Sequence, residues 1–136
     1  GEVSGLILVA GVYRTSSCTT AGPFSMLAIL GADDDTYPMS GGNSPSFDEA
    51  FGDRLGDGAA YEPVAPPATL DAWADELGCV SNASQQIGLA TARIDTTCDD
   101  DGEVWRVVSP GAGHEWYPAT YDLMVQFLTT GPFRTT

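Results

Sequence analysis

Apolar residues run almost without interruption from Gly5 to Val12 and again from Phe24 to Leu30, the first run ending around Gly11 and the second at Gly31. Unbroken apolarity over such lengths, without alternation, suits a strand covered on both faces. Both runs are therefore expected to be neighbouring central strands of one sheet. The segment from Arg14 to Gly22 between them is a Ser/Thr-rich connection.

A different periodicity appears in Pro66-Pro67-Ala68-Thr69-Leu70-Asp71-Ala72-Trp73-Ala74-Asp75-Glu76-Leu77-Gly78. Leu70, Trp73, Ala74 and Leu77 share one helical face, prolines open the segment and a glycine closes it, as helix termini prefer. Gln85 to Thr97 alternates partly and reads as an extended segment. Glu103 to Val108 alternates as a strand, with Ala90 to Ile94 as its hairpin or edge partner. From Ala119 to Leu128 helical spacing returns, and the pattern stops before Gly131-Pro132. The order strand, strand, helix, strand or hairpin, strand, helix predicts an α/β fold with a mostly parallel sheet flanked by helices. Neither an internal repeat nor a linker divides the chain, so residues 1–136 are expected to form a single domain. Asn43 to Val64, rich in Gly, Pro, Ser and Asp, is too long for an ordinary connection and is expected to be a surface excursion with a helical turn around Phe47 to Phe51.

The charge balance removes some functions. Nineteen acidic against five basic residues give a net charge of −14, which excludes a phosphate-binding surface and so nucleic acid or anionic membrane as partners. No apolar stretch reaches the length of a membrane span. An opening placed directly at a core strand is read as a sign that sequence upstream has been removed or lies in another chain.

Three cysteines cannot all pair within the chain. Cys79 and Cys98 each stand at the edge of a polar loop and are expected to form a disulfide, the closed loop contributing about 3 kcal/mol on the chain-entropy model. Cys18 is then free, or bonded to something outside this sequence. Three reduced, buried thiols are the competing reading.

Candidate chemistry gathers at two loops that begin at the carboxyl ends of strands, Gly31 to Pro38 and Gly111 to Pro118, where open α/β sheets bind ligands. The second holds the chain's one histidine, His114, between flexible glycines and Trp116. The first holds Asp33-Asp34-Asp35. A carboxylate after one strand and an imidazole after a later one supply two of the three members of an acyl-transfer triad.

These residues resemble a known family. Leu27-Ala28-Ile29-Leu30-Gly31-Ala32-Asp33-Asp34-Asp35-Thr36-Tyr37-Pro38 with Gly41-Gly42, Ala72-Trp73-Ala74 with Gly78-Cys79, Cys98 with Gly102-Glu103-Val104, and Gly111-Ala112-Gly113-His114-Glu115-Trp116-Tyr117-Pro118 look like the C-terminal half of the secreted polyhydroxybutyrate depolymerase and feruloyl esterase family of α/β-hydrolases. The likeness extends from Leu6 to Phe127. It implies the acid role for Asp34, the base role for His114, and a disulfide joining Cys79 to Cys98. Three departures stand out. Leu30 occupies a position where relatives usually carry histidine, and the loop after the acid is longer. More consequentially, no G-x-S-x-G nucleophile motif occurs; Ser4 has the wrong spacing, and Ser40 lacks the strand-to-helix setting.

The resulting expectation is a segment of a secreted or periplasmic serine carboxylic-ester hydrolase, acting on a polyhydroxyalkanoate or feruloyl-type ester. It supplies Asp34 and His114 to a serine on an absent or separate segment, which Cys18 would join by a disulfide. Trp116 and Tyr37 are assigned to the substrate pocket, and neither cofactor nor metal is expected. A non-catalytic binding or assembly module built on the esterase half-fold is the alternative. A calcium-binding surface protein is a third reading, although neither Asp33-Asp34-Asp35 nor Asp99-Asp100-Asp101-Gly102 has the spacing of an EF-hand loop.

Overall fold

The computed structural model describes residues 5–11, 24–42, 44–49, 64–116 and 119–130. Five strands, β1 (Gly5–Val9), β2 (Ser25–Gly31), β3 (Ser81–Ile87), β4 (Ala90–Thr96) and β5 (Val104–Ser109), form one sheet in the order β1-β2-β5-β4-β3. The helices are α1 (Pro66–Glu76) and α2 (Ala119–Thr130), with a further helical stretch at 45–49.

The two continuous apolar runs form β1 and β2, which are parallel to each other, and β2 is parallel to β5. Every residue of β2 is buried, because both of its faces are covered. Pleating sends Met26, Ala28 and Leu30 toward Leu70 and Trp73 of α1, while Leu27 and Ile29 meet Leu123 and Phe127 of α2. Trp105 of β5 closes the second layer with an edge-on contact to Phe127, the ring centres 5.5 Å apart.

The expected mostly parallel sheet flanked by helices is corrected by the other half of the ladder. Both β3–β4 and β4–β5 are antiparallel, which makes the sheet mixed, and the described helices are short. The physical reason lies in the connections: residues 88–89 and 97–103 are too few for a parallel crossover, which needs a dozen or more. The single extended segment expected over Gln85 to Thr97 is in fact two strands turning at Gly88, whose φ of 61° suits glycine in a tight reversal. β3 escaped the hydrophobic pattern because Ser81 to Gln86 are all exposed and carry no apolar alternation. The other excursions from expectation are small. β1, expected as a central strand, lies at the edge of the described sheet with its residues half-buried; it ends at Val9, Ala10 and Gly11 follow outside the strand, and Val12, Cys18 and residues 50–63 of the excursion lie outside the described residues.

Two cross-links hold α1 to the sheet. The disulfide Cys79–Cys98 joins its C-terminal end to the turn before β5. Further along, the Arg106 guanidinium on β5, 92% buried, is paired with Asp71 of α1 and lies 2.7 Å from Asp95 on β4. Arg93 adds a second cation, 3.0 Å from Asp95. Desolvated ions are tolerated only when partnered, so removing one member strands the others. Arg106→Met is expected to lower unfolding free energy by about 3–5 kcal/mol in urea titrations, and Asp95→Leu added to it should recover part of the loss. Equal stability of Arg106→Met and the unaltered protein would show that the cluster does not hold α1 in place.

Candidate functional site

β2 and β5 are adjacent and parallel, with Gly31 opposite Ser109, so the loops that follow them leave the sheet side by side. They then bind each other through the backbone: Ala32 N–H donates to the Ser109 carbonyl at 2.9 Å and Asp33 N–H to the Ala112 carbonyl at 3.0 Å. This approach requires glycine at position 31. A Cβ there would collide with the carbonyl oxygens of Ala112 and Gly113. Gly111, with φ 73°, makes the turn that brings the second loop back over the strand end.

The apposition places Asp34 and His114 in contact. Asp34 Oδ2 lies 2.9 Å from His114 Nδ1. The other carboxylate oxygen, Oδ1, accepts backbone N–H bonds from Thr36 at 2.9 Å and Tyr37 at 2.7 Å, an Asx-type turn that fixes the side chain's rotamer. Asp34 is 6% exposed, whereas the His114 side chain is 35% exposed. The carboxylate is thus anchored inside, with the imidazole between it and solvent. Because Nδ1 faces Asp34, Nε2 on the far side of the ring is directed away from it.

The acid loop has a brace that the sequence pattern did not reveal. Ser44 accepts the Phe47 N–H at 3.0 Å and so caps the helical stretch at 45–49, with Pro45 in its first position. The same Ser44 hydroxyl donates to the Thr36 carbonyl at 3.4 Å, and Ser46 donates to Asp35 at 3.3 Å. Phe47 is buried beneath. The signal for this was present in Ser44-Pro45-Ser46-Phe47, a cap, a first-turn proline and an apolar anchor, but the surrounding polar composition masked it.

The remaining candidates are placed as follows. Tyr37 is half-buried and contributes its backbone N–H to Asp34. Trp116 is 72% exposed two residues after His114. Ser40 is exposed and donates weakly to the Gly41 carbonyl at 3.4 Å, while Ser4 lies outside the described residues. Asp33 and Asp35 are exposed and take no part in the contact with His114. Among the described residues, no three of His, Cys, Asp and Glu converge in a way that could hold a metal.

No family model, curated protein or solved structure matches this chain. Whatever the site does must therefore be argued from its geometry. A carboxylate locked by two N–H groups, holding one nitrogen of a partly exposed imidazole, can fix the ring's tautomer and orientation. The neighbouring nitrogen is then available for proton transfer. Gly31→Ala is expected to push the two loops apart, lowering stability by about 1–3 kcal/mol. It should also abolish the low-field proton resonance of an Asp-bound imidazole in NMR spectra. Retention of that resonance in Gly31→Ala would show that the pairing does not depend on this close approach.

Proposed function

We propose that Asp34 and His114 are the acid and base of a serine-type carboxylic-ester hydrolase whose nucleophile is carried on a polypeptide segment outside this sequence. The observation that carries the reading is the 2.9 Å Asp34–His114 contact at the carboxyl ends of two adjacent parallel strands. Asp34 holds the ring with its Nδ1–H directed inward. Nε2 takes the proton of the attacking hydroxyl and returns it to the departing alcohol. Asp34 need not accept the proton itself; it keeps the tautomer and offsets the charge on the ring.

A serine in a G-x-S-x-G turn, and the backbone donors that stabilise the tetrahedral oxyanion, belong on the other segment. Cys18 is the residue through which such a segment would be tied by a disulfide. Trp116 and Tyr37 are assigned to the acyl or aryl group of a polyhydroxyalkanoate or feruloyl-type ester. The Cys79–Cys98 disulfide supports an oxidising, extracellular or periplasmic setting.

One observation favours a second reading, an assembly module. Among the described residues β1 is an edge strand of wholly apolar sequence, Gly5-Leu6-Ile7-Leu8-Val9, and all five residues are only half-buried. It carries none of the charges, prolines or bulges with which sheet edges are ordinarily guarded.

The two readings part on one assay, turnover of a short-chain p-nitrophenyl ester. This chain alone should be inactive, and a longer polypeptide that includes the upstream G-x-S-x-G segment should be active. In that longer protein, His114→Ala and Asp34→Asn should each lower kcat by on the order of 10³–10⁴-fold. Turnover by the present chain alone, or full activity in His114→Ala, overturns the assignment; a defined assembly without hydrolysis in any combination favours the module.

A further inference from the structure

The chain has two asparagines, and one of them opens the sequence Asn82-Ala83-Ser84. This is the N-x-S/T acceptor pattern of N-linked glycosylation, with no proline at the middle position. The other, in Asn43-Ser44-Pro45, does not fit it. We propose that Asn82 is an N-glycan acceptor and that the glycan caps the open edge of the sheet at β3.

Three observations converge on this residue. First, Asn82, Ala83 and Ser84 are all exposed, and among the described residues the side chains of Asn82 and Ser84 make no hydrogen bond. Second, among the described residues β3 is the outermost strand and pairs with β4 alone. Its sequence, Ser-Asn-Ala-Ser-Gln-Gln-Ile, contains no charge or proline, and Val80 and Leu89 at its two ends are 79% and 87% exposed. A strand of this kind is a template for pairing with a second chain unless something bulky or charged blocks it. Third, Asn82 forms part of the wall of a polar hollow of about 370 Å³, together with Asp71, Asp75, Arg93 and Asp95. Carboxylates and a guanidinium suit the hydroxyl and acetamido groups of a first sugar.

The transfer is chemically complete with a polyprenyl-diphosphate-linked oligosaccharide as donor. Asn82 Nδ2 bonds to the anomeric carbon, the carbon–oxygen bond to the diphosphate breaks, and Nδ2 gives up a proton as the polyprenyl diphosphate leaves. The inference rests on export of the chain, for which the Cys79–Cys98 disulfide is the supporting observation, and is independent of ester hydrolysis.

Translation of the full chain behind a secretion signal, with endoplasmic-reticulum microsomes, tests the acceptor. A protease-protected product of reduced mobility, restored by peptide N-glycosidase, is expected; Asn82→Gln and Ser84→Ala should abolish the shift and Ser84→Thr should keep it. A protease-protected chain without a shift overturns the assignment. Capping is read by sedimentation of the secreted glycoprotein trimmed to one N-acetylglucosamine: Asn82→Gln should self-associate more strongly than it as concentration rises, the excess coming from the uncovered β3 edge. If Asn82→Gln associates no more than the trimmed glycoprotein over the same range, the capping role falls.

Discussion

Everything at the candidate site depends on how closely two backbone segments pass at the end of the sheet. Gly31 has no side chain, so the carbonyls of Ala112 and Gly113 can lie directly against it, and Asp33 can donate its N–H across the gap. The parallel register of β2 and β5 delivers both loops to the same end, but register alone leaves room for a side chain between them. With that room removed, a carboxylate three residues after the glycine and an imidazole five residues after the end of β5 are held within hydrogen-bonding distance. The pairing is thus a property of the backbone first and of the two side chains second.

The sheet divides into unlike halves around β5. On one side, β1 and β2 are apolar and parallel, and β2 forms the buried floor between α1 and α2. On the other, the β4–β3 hairpin grows outward, alternating along β4 and wholly exposed along β3 until its last residue. Arg106 stands at the boundary, on a central strand where an apolar residue would be expected, and is accommodated because Asp71 and Asp95 reach it from two other elements. The net gain from such an ion pair is small, because the cost of desolvating the charges offsets their attraction.

How much of this could be read from the sequence follows from which forces leave a local trace. Burial on both faces leaves one, and the run forming β2 showed it, whereas the equally apolar run forming β1, expected to be central, lies at the edge of the described sheet and is only half-buried; helix ends leave a trace too, as at Pro66 and Gly78. The pairing of Cys79 with Cys98 was legible because each sits beside a polar loop. His114 and the Asp33-Asp34-Asp35 run could be named from their positions after strands, the choice of Asp34 within that run was what the family resemblance implied, and their contact depends on register, which no local pattern encodes. β3 was invisible because an exposed edge strand imposes no apolar period. The parallel character expected of the sheet came from extending the behaviour of the first two strands to the rest, and the short connections at 88–89 and 97–103 contained the contrary information. The bracing of the acid loop by Ser44 and Phe47 was hidden for another reason, since its cap and apolar anchor stand in a segment whose polar composition reads as surface excursion.

The engagement of both described arginines with carboxylates has a consequence for the solution behaviour of the molecule. Among the described residues, Arg93 and Arg106 are the two basic side chains of the Lys and Arg type, and both are engaged with Asp71 and Asp95. The carboxylates elsewhere on the described surface therefore face one another across water with few counter-charges of the protein's own. Dissolved electrolyte must supply them, and the reach of their mutual repulsion contracts to about 8 Å at physiological ionic strength and about 3 Å at molar concentration. A body charged in this way is held together more firmly in brine than in dilute buffer, the reverse of a fold that relies on surface ion pairs.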